Sequence, residues 1–235
     1  MDALSEILHK ISYMGLPLLF AMVLHEYAHG WVAYRCGDPT AKLQGRLTMN
    51  PLAHIDPFGS VILPLFCLLM PGGFFLGWAK PVPIDPRLMH QPRRDMALVA
   101  AAGPCMNLIL AIGSALLFTI LLSLDSSVAQ YWSSADETPP PQSLQTMITL
   151  PLAVMAVYSL LINVLLMLFN LIPIPPLDGS HILRNFLPYK MAAAFDQIGI
   201  RSYLLMFFVG SAVINVVMPP AMHLVYAALT RIQGA

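Results

Sequence analysis

The chain has 235 residues, 57% of them apolar and 10% charged, with a mean hydropathy of +0.70; soluble domains are about half apolar and a quarter charged, so an ordinary soluble fold is excluded. Twelve Lys and Arg balance twelve Asp and Glu, and no overall charge bias points to nucleic acid or a strongly acidic partner. Cys36, Cys67 and Cys105 lie in or beside apolar stretches without Cys-x-x-Cys spacing and read as small buried apolar residues.

A membrane helix needs about 20 mostly apolar residues, and residues 11–34, 96–124, 147–172 and 202–230 approach this. The first stretch follows an acidic start at Asp2 and Glu6 and carries His25, Glu26 and His29 at its far end, so it reads as a retained span, not a cleavable signal peptide. Between the first and second spans a shorter apolar stretch, 59–78, is interrupted by Pro64 and by Pro71-Gly72-Gly73. Such breaks are tolerated at membrane depth only where protein or a water-filled cavity satisfies the freed backbone groups, which predicts a re-entrant hairpin. Residues 73–85, with Gly72, Gly73 and Gly77 near aromatic residues and Pro81, Pro83 and Pro86 after them, read either as an extended edge or as an interfacial loop anchored by Trp78. The last stretch contains Asn215 and Met218-Pro219-Pro220 and reads as one kinked helix or as a span followed by a short interfacial helix. The expected fold is an all-α polytopic membrane protein, one domain over 1–235. It is a helical bundle with a re-entrant hairpin or short β segment between the first and second long spans.

Charge placement orients the bundle. Arg35, Lys42 and Arg46 follow the first span, Lys80, Arg87, Arg93 and Arg94 precede the second, and Arg184, Lys190 and Arg201 follow the third. Loop 125–146 carries Asp125, Asp136 and Glu137 without Lys or Arg, and Pro139-Pro140-Pro141 marks it as an exposed connector. By the positive-inside rule that loop is outside a cell (inner or plasma) membrane and the other connections are cytoplasmic, provided 59–78 enters and leaves on one side.

Near the cytoplasmic end of the first span lies His25-Glu26-Tyr27-Ala28-His29, an H-E-x-x-H pattern. Residues four apart share a helix face, so both imidazoles can reach one ion with Glu26 beside it. Two His and a Glu inside an apolar helix are costly to bury unless paired or bound, which makes them a functional cluster by default. A hydrogen-bonded pair of core histidines is the bland alternative. A catalytic zinc needs a third protein ligand and an open position for water. His54, Asp56, Asp178 and His181 are candidates, and spacing does not choose among them. Asp178 stands in Pro173-Ile174-Pro175-Pro176-Leu177-Asp178-Gly179, where three prolines break a long apolar helix; the same residues also suit an ordinary interfacial turn.

These residues resemble the site-2 protease family of intramembrane zinc metalloproteases. The family pairs an H-E-x-x-H helix with a distant Asn-x-x-Pro…Leu-Asp-Gly helix, matched here by HEYAH at 25–29 and NLIPIPPLDG at 170–179. Gly103-Pro104-Cys105-Met106-Asn107 is similar to the family's central Gly-x-x-x-Asn helix. The three motifs come in the family's order, and with their flanks run from about residue 15 to 185. The segments 50–59 and 77–83 look like the compact bacterial and archaeal branch, without PDZ or CBS modules.

The resemblance implies one Zn2+ per chain, held by His25, His29 and Asp178, with Glu26 as catalytic acid and base. It also implies transmembrane protein substrates met within the lipid bilayer. Asn107 could steady the substrate backbone or a developing oxyanion, or make only an interhelical hydrogen bond. His54 could bond the tetrahedral intermediate, and His54 and Asp56 could instead support the zinc-binding imidazoles or form a turn capped by Asp56. Asn170 could orient Asp178. A metal-ion transporter and a catalytically silent membrane-helix binder are the rival readings; the chain shows no repeated halves, and a pure binder has no need of Glu26. Nothing in the sequence specifies an oligomeric state.

Overall fold

The computed structural model describes residues 3–63, 65–66, 77–133, 143–196 and six isolated positions beyond 214. Its helices are α1 (Ala3–Arg35), α2 (Thr40–Leu43), α3 (Pro92–Leu124), α4 (Ser126–Ser133), α5 (Leu144–Asn170), α6 (Asp178–Phe186) and α7 (Tyr189–Asp196), and no strand occurs among the described residues. Segments Ile11–Arg35, Pro92–Leu124 and Leu144–Asn170 are long and apolar enough to cross a membrane. The chain is an all-α, multi-pass membrane protein. All but six positions of the fourth predicted span, 202–230, and the centre of the predicted re-entrant hairpin, 64 and 67–76, lie outside the described residues.

Helix ends follow local chemistry. Pro92 opens α3 at a position where its missing N–H is no loss, and the Asp95 carboxylate reaches back to accept the Gln91 N–H at 2.7 Å. Ser143 caps α5 by accepting the Thr146 N–H at 3.0 Å. At its far end α5 stops at Asn170, because Pro173, Pro175 and Pro176 cannot continue the ladder. Asp56 accepts the N–H groups of Phe58 and Gly59 and so caps a wide helical turn, Pro57–Ile62, at the start of the apolar stretch.

The expectation of an exposed connector from 125 to 146 needs correction. Its first part folds into α4, whose Val128 and Ala129 are buried against Phe118 and Leu122 of α3 and Ala153 and Val157 of α5. Asp125 organises this corner by accepting the Ser127 N–H and the hydroxyls of Ser127, Thr146 and Thr149. Burial works against its charge, and these donors outweigh it and hold the carboxyl below the ordinary range. Pro139-Pro140-Pro141 lies outside the described residues.

Helix α3 is the centre of the bundle and packs against α1, α5 and α6. Leu18, Ala21 and Met22 of α1 meet Ile162 of α5, and Ala33 of α1 meets Val99 of α3. Large apolar side chains such as Phe20, Ile109, Leu116, Ile120 and Ile148 stay exposed on the outer faces, as a lipid-facing surface requires. Arg93 at the start of α3 donates to the carbonyls of Leu187 and Arg184, which ties the end of α6 to the same end of the bundle.

The connection after α1 is held by one carboxylate. Asp38, fully buried, accepts the Thr40 N–H at 2.9 Å and the Asp85 N–H at 2.7 Å, joining two loops 47 residues apart. Hydrogen bonds to a charged group are worth about 1.5–3 kcal/mol, and their loss here leaves two part-buried N–H groups unpaired. In detergent, Asp38→Ala is expected to lower Tm by roughly 5–10 °C, read by circular dichroism, at an unchanged helix content.

Candidate metal centre

The α1 helix sets His25 and His29 one turn apart with their rings edge to face at 4.6 Å between centroids. Asp178 reaches them by a hairpin. After Asn170 the chain turns through 171–177, and α6 begins at Asp178 with its first turn folded back on the end of α5. Gly179 permits that return, since a Cβ there would meet the Leu171 carbonyl oxygen at 2.3 Å and that of Ile172 at 2.6 Å. Ser180 steadies the turn by donating its hydroxyl to the Leu177 carbonyl at 2.6 Å.

Three ligand atoms converge as a result. His25 Nε2 and His29 Nε2 are 3.0 Å apart, and Asp178 Oδ2 lies 3.3 Å from the first and 3.4 Å from the second. Tetrahedral zinc with bonds of ~2.0–2.1 Å sets its ligand atoms about 3.3 Å from one another. The proton count points the same way. His25 Nδ1 lies 2.6 Å from Asn107 Oδ1 and His29 Nδ1 lies 2.7 Å from the Val99 carbonyl oxygen, so each ring spends its N–H on an acceptor of α3. Both Nε2 atoms then present lone pairs to each other and to a carboxylate oxygen that is buried and has no hydrogen-bond partner. Three lone pairs facing one point without a proton among them repel unless a cation sits between them, and two imidazoles with one carboxylate suit zinc. Among the described residues this is the one group of three or more such side chains able to hold a metal ion.

Gly103 explains how α3 comes so near. A Cβ at this position would stand 2.4 Å from His29 Nε2 and 2.6 Å from His25 Nε2. The bare backbone leaves that space to the imidazoles and to whatever they bind.

Glu26 lies on the same turn of α1 as the histidines. Its Oε2 accepts the Val82 N–H at 2.8 Å. The chain before Val82 is itself pinned: Trp78 N–H donates to the Gly59 carbonyl at 3.0 Å and Lys80 N–H to the His54 carbonyl at 2.8 Å. Arg46 holds the other side of the peptide at Lys80 through its carbonyl, at 2.8 Å. Alternate N–H groups at 78, 80 and 82 thus point back into the protein, the habit of extended chain, although no strand pairing is made.

The remaining predicted residues take other places. His54 is almost fully buried, with Nε2 at 2.8 Å from the Thr48 carbonyl oxygen, and it is not one of the three converging side chains. Asp56 caps its own turn, and Asn170 donates to the Leu166 carbonyl one turn back on α5. His181 is exposed on α6. Two contributors escaped the sequence. The Val82 N–H is a backbone group that no side-chain pattern announces. Asn163, whose Oδ1 accepts the Asn107 N–H at 2.8 Å, had only its polarity within an apolar span to mark it.

A family profile described as Peptidase family M50 matches residues 13–211. "Putative zinc metalloprotease YwhC" of Bacillus subtilis (strain 168) is 38% identical over 190 residues, covering 81% of this chain and 76% of the relative. "Putative zinc metalloprotease Rip2" of Mycolicibacterium smegmatis is 29% identical, over 74% of this chain and 60% of the relative. The protein of that name from Mycobacterium tuberculosis (strain ATCC 25618 / H37Rv) is 33% identical, over 74% of this chain and 59% of the relative. The match thus spans about three fifths of the length of the Rip2 proteins. No solved structure matches.

The close approach at Gly103 gives a direct test. Gly103→Ala is expected to keep the helix content of the wild type while zinc per chain, measured by elemental analysis after gel filtration, falls well below one. A folded alanine variant with stoichiometric zinc would show that the contact with the imidazoles is irrelevant to binding.

Proposed function

The chain belongs to peptidase family M50 and is a zinc metalloprotease, and from that premise we propose that it hydrolyses peptide bonds of transmembrane segments in other proteins, within or at the edge of the bilayer. The observation that carries this reading is the depth of the convergent triad. His25 stands ten residues before Arg35 at the basic end of α1, which is roughly 15 Å along the helix at 1.5 Å per residue. A site at that depth meets its substrate inside the apolar bundle.

His25, His29 and Asp178 would hold the zinc, the three-ligand protein set found at catalytic zinc sites. Zinc bound there would supply a Lewis acid able to acidify water and polarise a peptide carbonyl. Glu26 takes the proton of the attacking water and passes it to the leaving amine, acting first as base and then as acid. Its Oε2 is held by the Val82 N–H, which leaves Oε1 for the proton. Asn107 acts through His25, whose Nδ1–H it accepts. His54 serves by lending its carbonyl to Lys80 and so holding the segment that positions Glu26.

The same segment offers a docking edge. With the N–H groups of Trp78, Lys80 and Val82 directed inward and no N–H at Pro81 or Pro83, the backbone of Ala79 is left on the opposite edge. An unwound substrate can pair with it by strand addition next to Glu26. The basic residues Arg35, Lys42, Arg46, Lys80, Arg87, Arg93 and Arg94 gather in the connections at one end of α1 and α3, which supports a cytoplasmic position for that end in a cell membrane.

The test is cleavage of single-span model substrates by protein purified in detergent or liposomes. Glu26→Gln is expected to keep one zinc per chain and to lose about 10²–10⁴-fold in rate, the usual contribution of a positioned acid and base. Asp178→Ala is expected to lose both zinc and cleavage. Undiminished cleavage by the glutamine variant would remove Glu26 from the mechanism, and zinc uptake into vesicles without any cleavage would support a transporter instead.

A further inference from the structure

The tautomer of His29 is set by a backbone carbonyl, that of Val99, which can only accept a hydrogen bond. That of His25 is set by a side-chain amide, and an amide can present either its oxygen or its NH2 group. Asn107 by itself therefore leaves the choice open: with its NH2 turned to His25, the ring would need its proton on Nε2, where it would block a metal. Something further must hold the amide.

The holding group is Asn163 of α5. Asn163 is 1% exposed and Asn107 is not exposed at all, so water cannot substitute for their partners. Asn163 Nδ2 donates to the Ser159 carbonyl oxygen at 2.8 Å, a fixed acceptor four residues back on its own helix. This bond directs Asn163 Oδ1 toward α3, where it accepts the Asn107 Nδ2–H at 2.8 Å. The Asn107 oxygen is thereby turned to His25 Nδ1, at 2.6 Å. Each bond in this series dictates the direction of the next. Starting from a carbonyl that cannot be reversed, the series ends with a proton on Nδ1 and a lone pair on Nε2. Either amide turned the other way would place two NH2 groups or two oxygens face to face in a dry interior, at the cost of an unpaired buried polar group.

We propose that Asn163 is a positioning residue for the metal centre, which acts through Asn107 to keep His25 in the Nδ1–H form required of a ligand at Nε2. The proposal rests on the reading that His25, His29 and Asp178 hold zinc, and adds a determinant on a third helix that contributes no ligand. It also gives α5 a part in metal affinity: α1 supplies two ligands, α3 orients both, and α5 decides the orientation of one of them.

Zinc affinity measured by competition with a chromophoric chelator separates the possibilities. Asn163→Leu removes the acceptor for Asn107 and is expected to weaken zinc binding 10–100-fold, the range found when partners of metal-bound histidines are lost. Asn163→Asp, which protonated keeps both a donor for Ser159 and an acceptor for Asn107, is expected to bind much more tightly than the leucine variant. A role confined to packing would lower Tm without this ordering. In the cobalt-loaded protein, the His25 and His29 ring N–H protons should give two slowly exchanging shifted resonances, and Asn163→Leu should speed exchange of the His25 proton alone. A folded leucine variant with wild-type zinc affinity overturns the proposal. If that variant does not fold, a His25 N–H in the cobalt-loaded wild type that exchanges as fast as an exposed imidazole does so. Failure of the wild type itself to bind zinc would instead defeat the underlying ligand assignment, which keeps the two outcomes apart.

Discussion

The structure depends on the meeting of three lone pairs inside an apolar bundle. Two imidazole nitrogens and a carboxylate oxygen within 3.4 Å of one another are unfavourable while both rings are neutral, because each ring has then spent its one N–H on an acceptor of α3. A divalent cation converts this repulsion into binding, and much of the surrounding architecture serves to make the convergence possible. Gly103 removes the side chain that would stand in its place, Gly179 lets α6 fold back far enough to deliver Asp178, and the prolines after Asn170 end α5 where that return must begin. Two glycines and a proline cluster that weaken regular helix are retained at the points where regular helix would keep the ligands apart.

The second feature is the division of labour around that point. The three side chains able to hold a metal come from α1 and α6, while α3 contributes none of them and orients both imidazoles, one through the Val99 carbonyl and one through Asn107. Glu26, the base of the proposed mechanism, is steadied from elsewhere again, by a backbone N–H in the segment before α3. That segment is pinned to the loop after α1 through Gly59, His54 and Arg46, so the position of Glu26 is coupled to a stretch of chain that also has a free edge. Under the proposed function, docking of a substrate strand and alignment of the carboxylate would be linked in one short peptide.

Much of this was legible from residue order alone. Span length and hydropathy located the three membrane-long segments to within about four residues at each end, because burial in lipid demands about 20 apolar residues and tolerates few exceptions. HEYAH announced two ligands and a carboxylate through the helical repeat, which places positions four apart on one face whatever surrounds them. Loop 125–146 was read too simply, since its turn-forming end concealed the short apolar repeat in which Val128 and Ala129 pack inward. Asn107 was visible as a polar residue in a span, and its two alternative roles could not be told apart, because a side-chain amide carries both a donor and an acceptor and only its neighbours decide which faces where.

What the residue order determined by itself was local: which stretches are helical and membrane-long, which helix carries the metal-binding pair, and where the third long helix must break. Those properties follow from hydropathy, periodicity and backbone restrictions, all of which act over a few turns of chain. Spacing left Asp178 open against His54, Asp56 and His181 and only the family resemblance favoured it; its convergence with His25 and His29, the contact of Gly103 with both imidazoles, the bond from Val82 to Glu26 and the path from Asn163 to His25 are visible only in the tertiary structure. Each joins groups on separate elements, and their distance in space is set by how helices pack and loops return, a property that no spacing along the chain encodes.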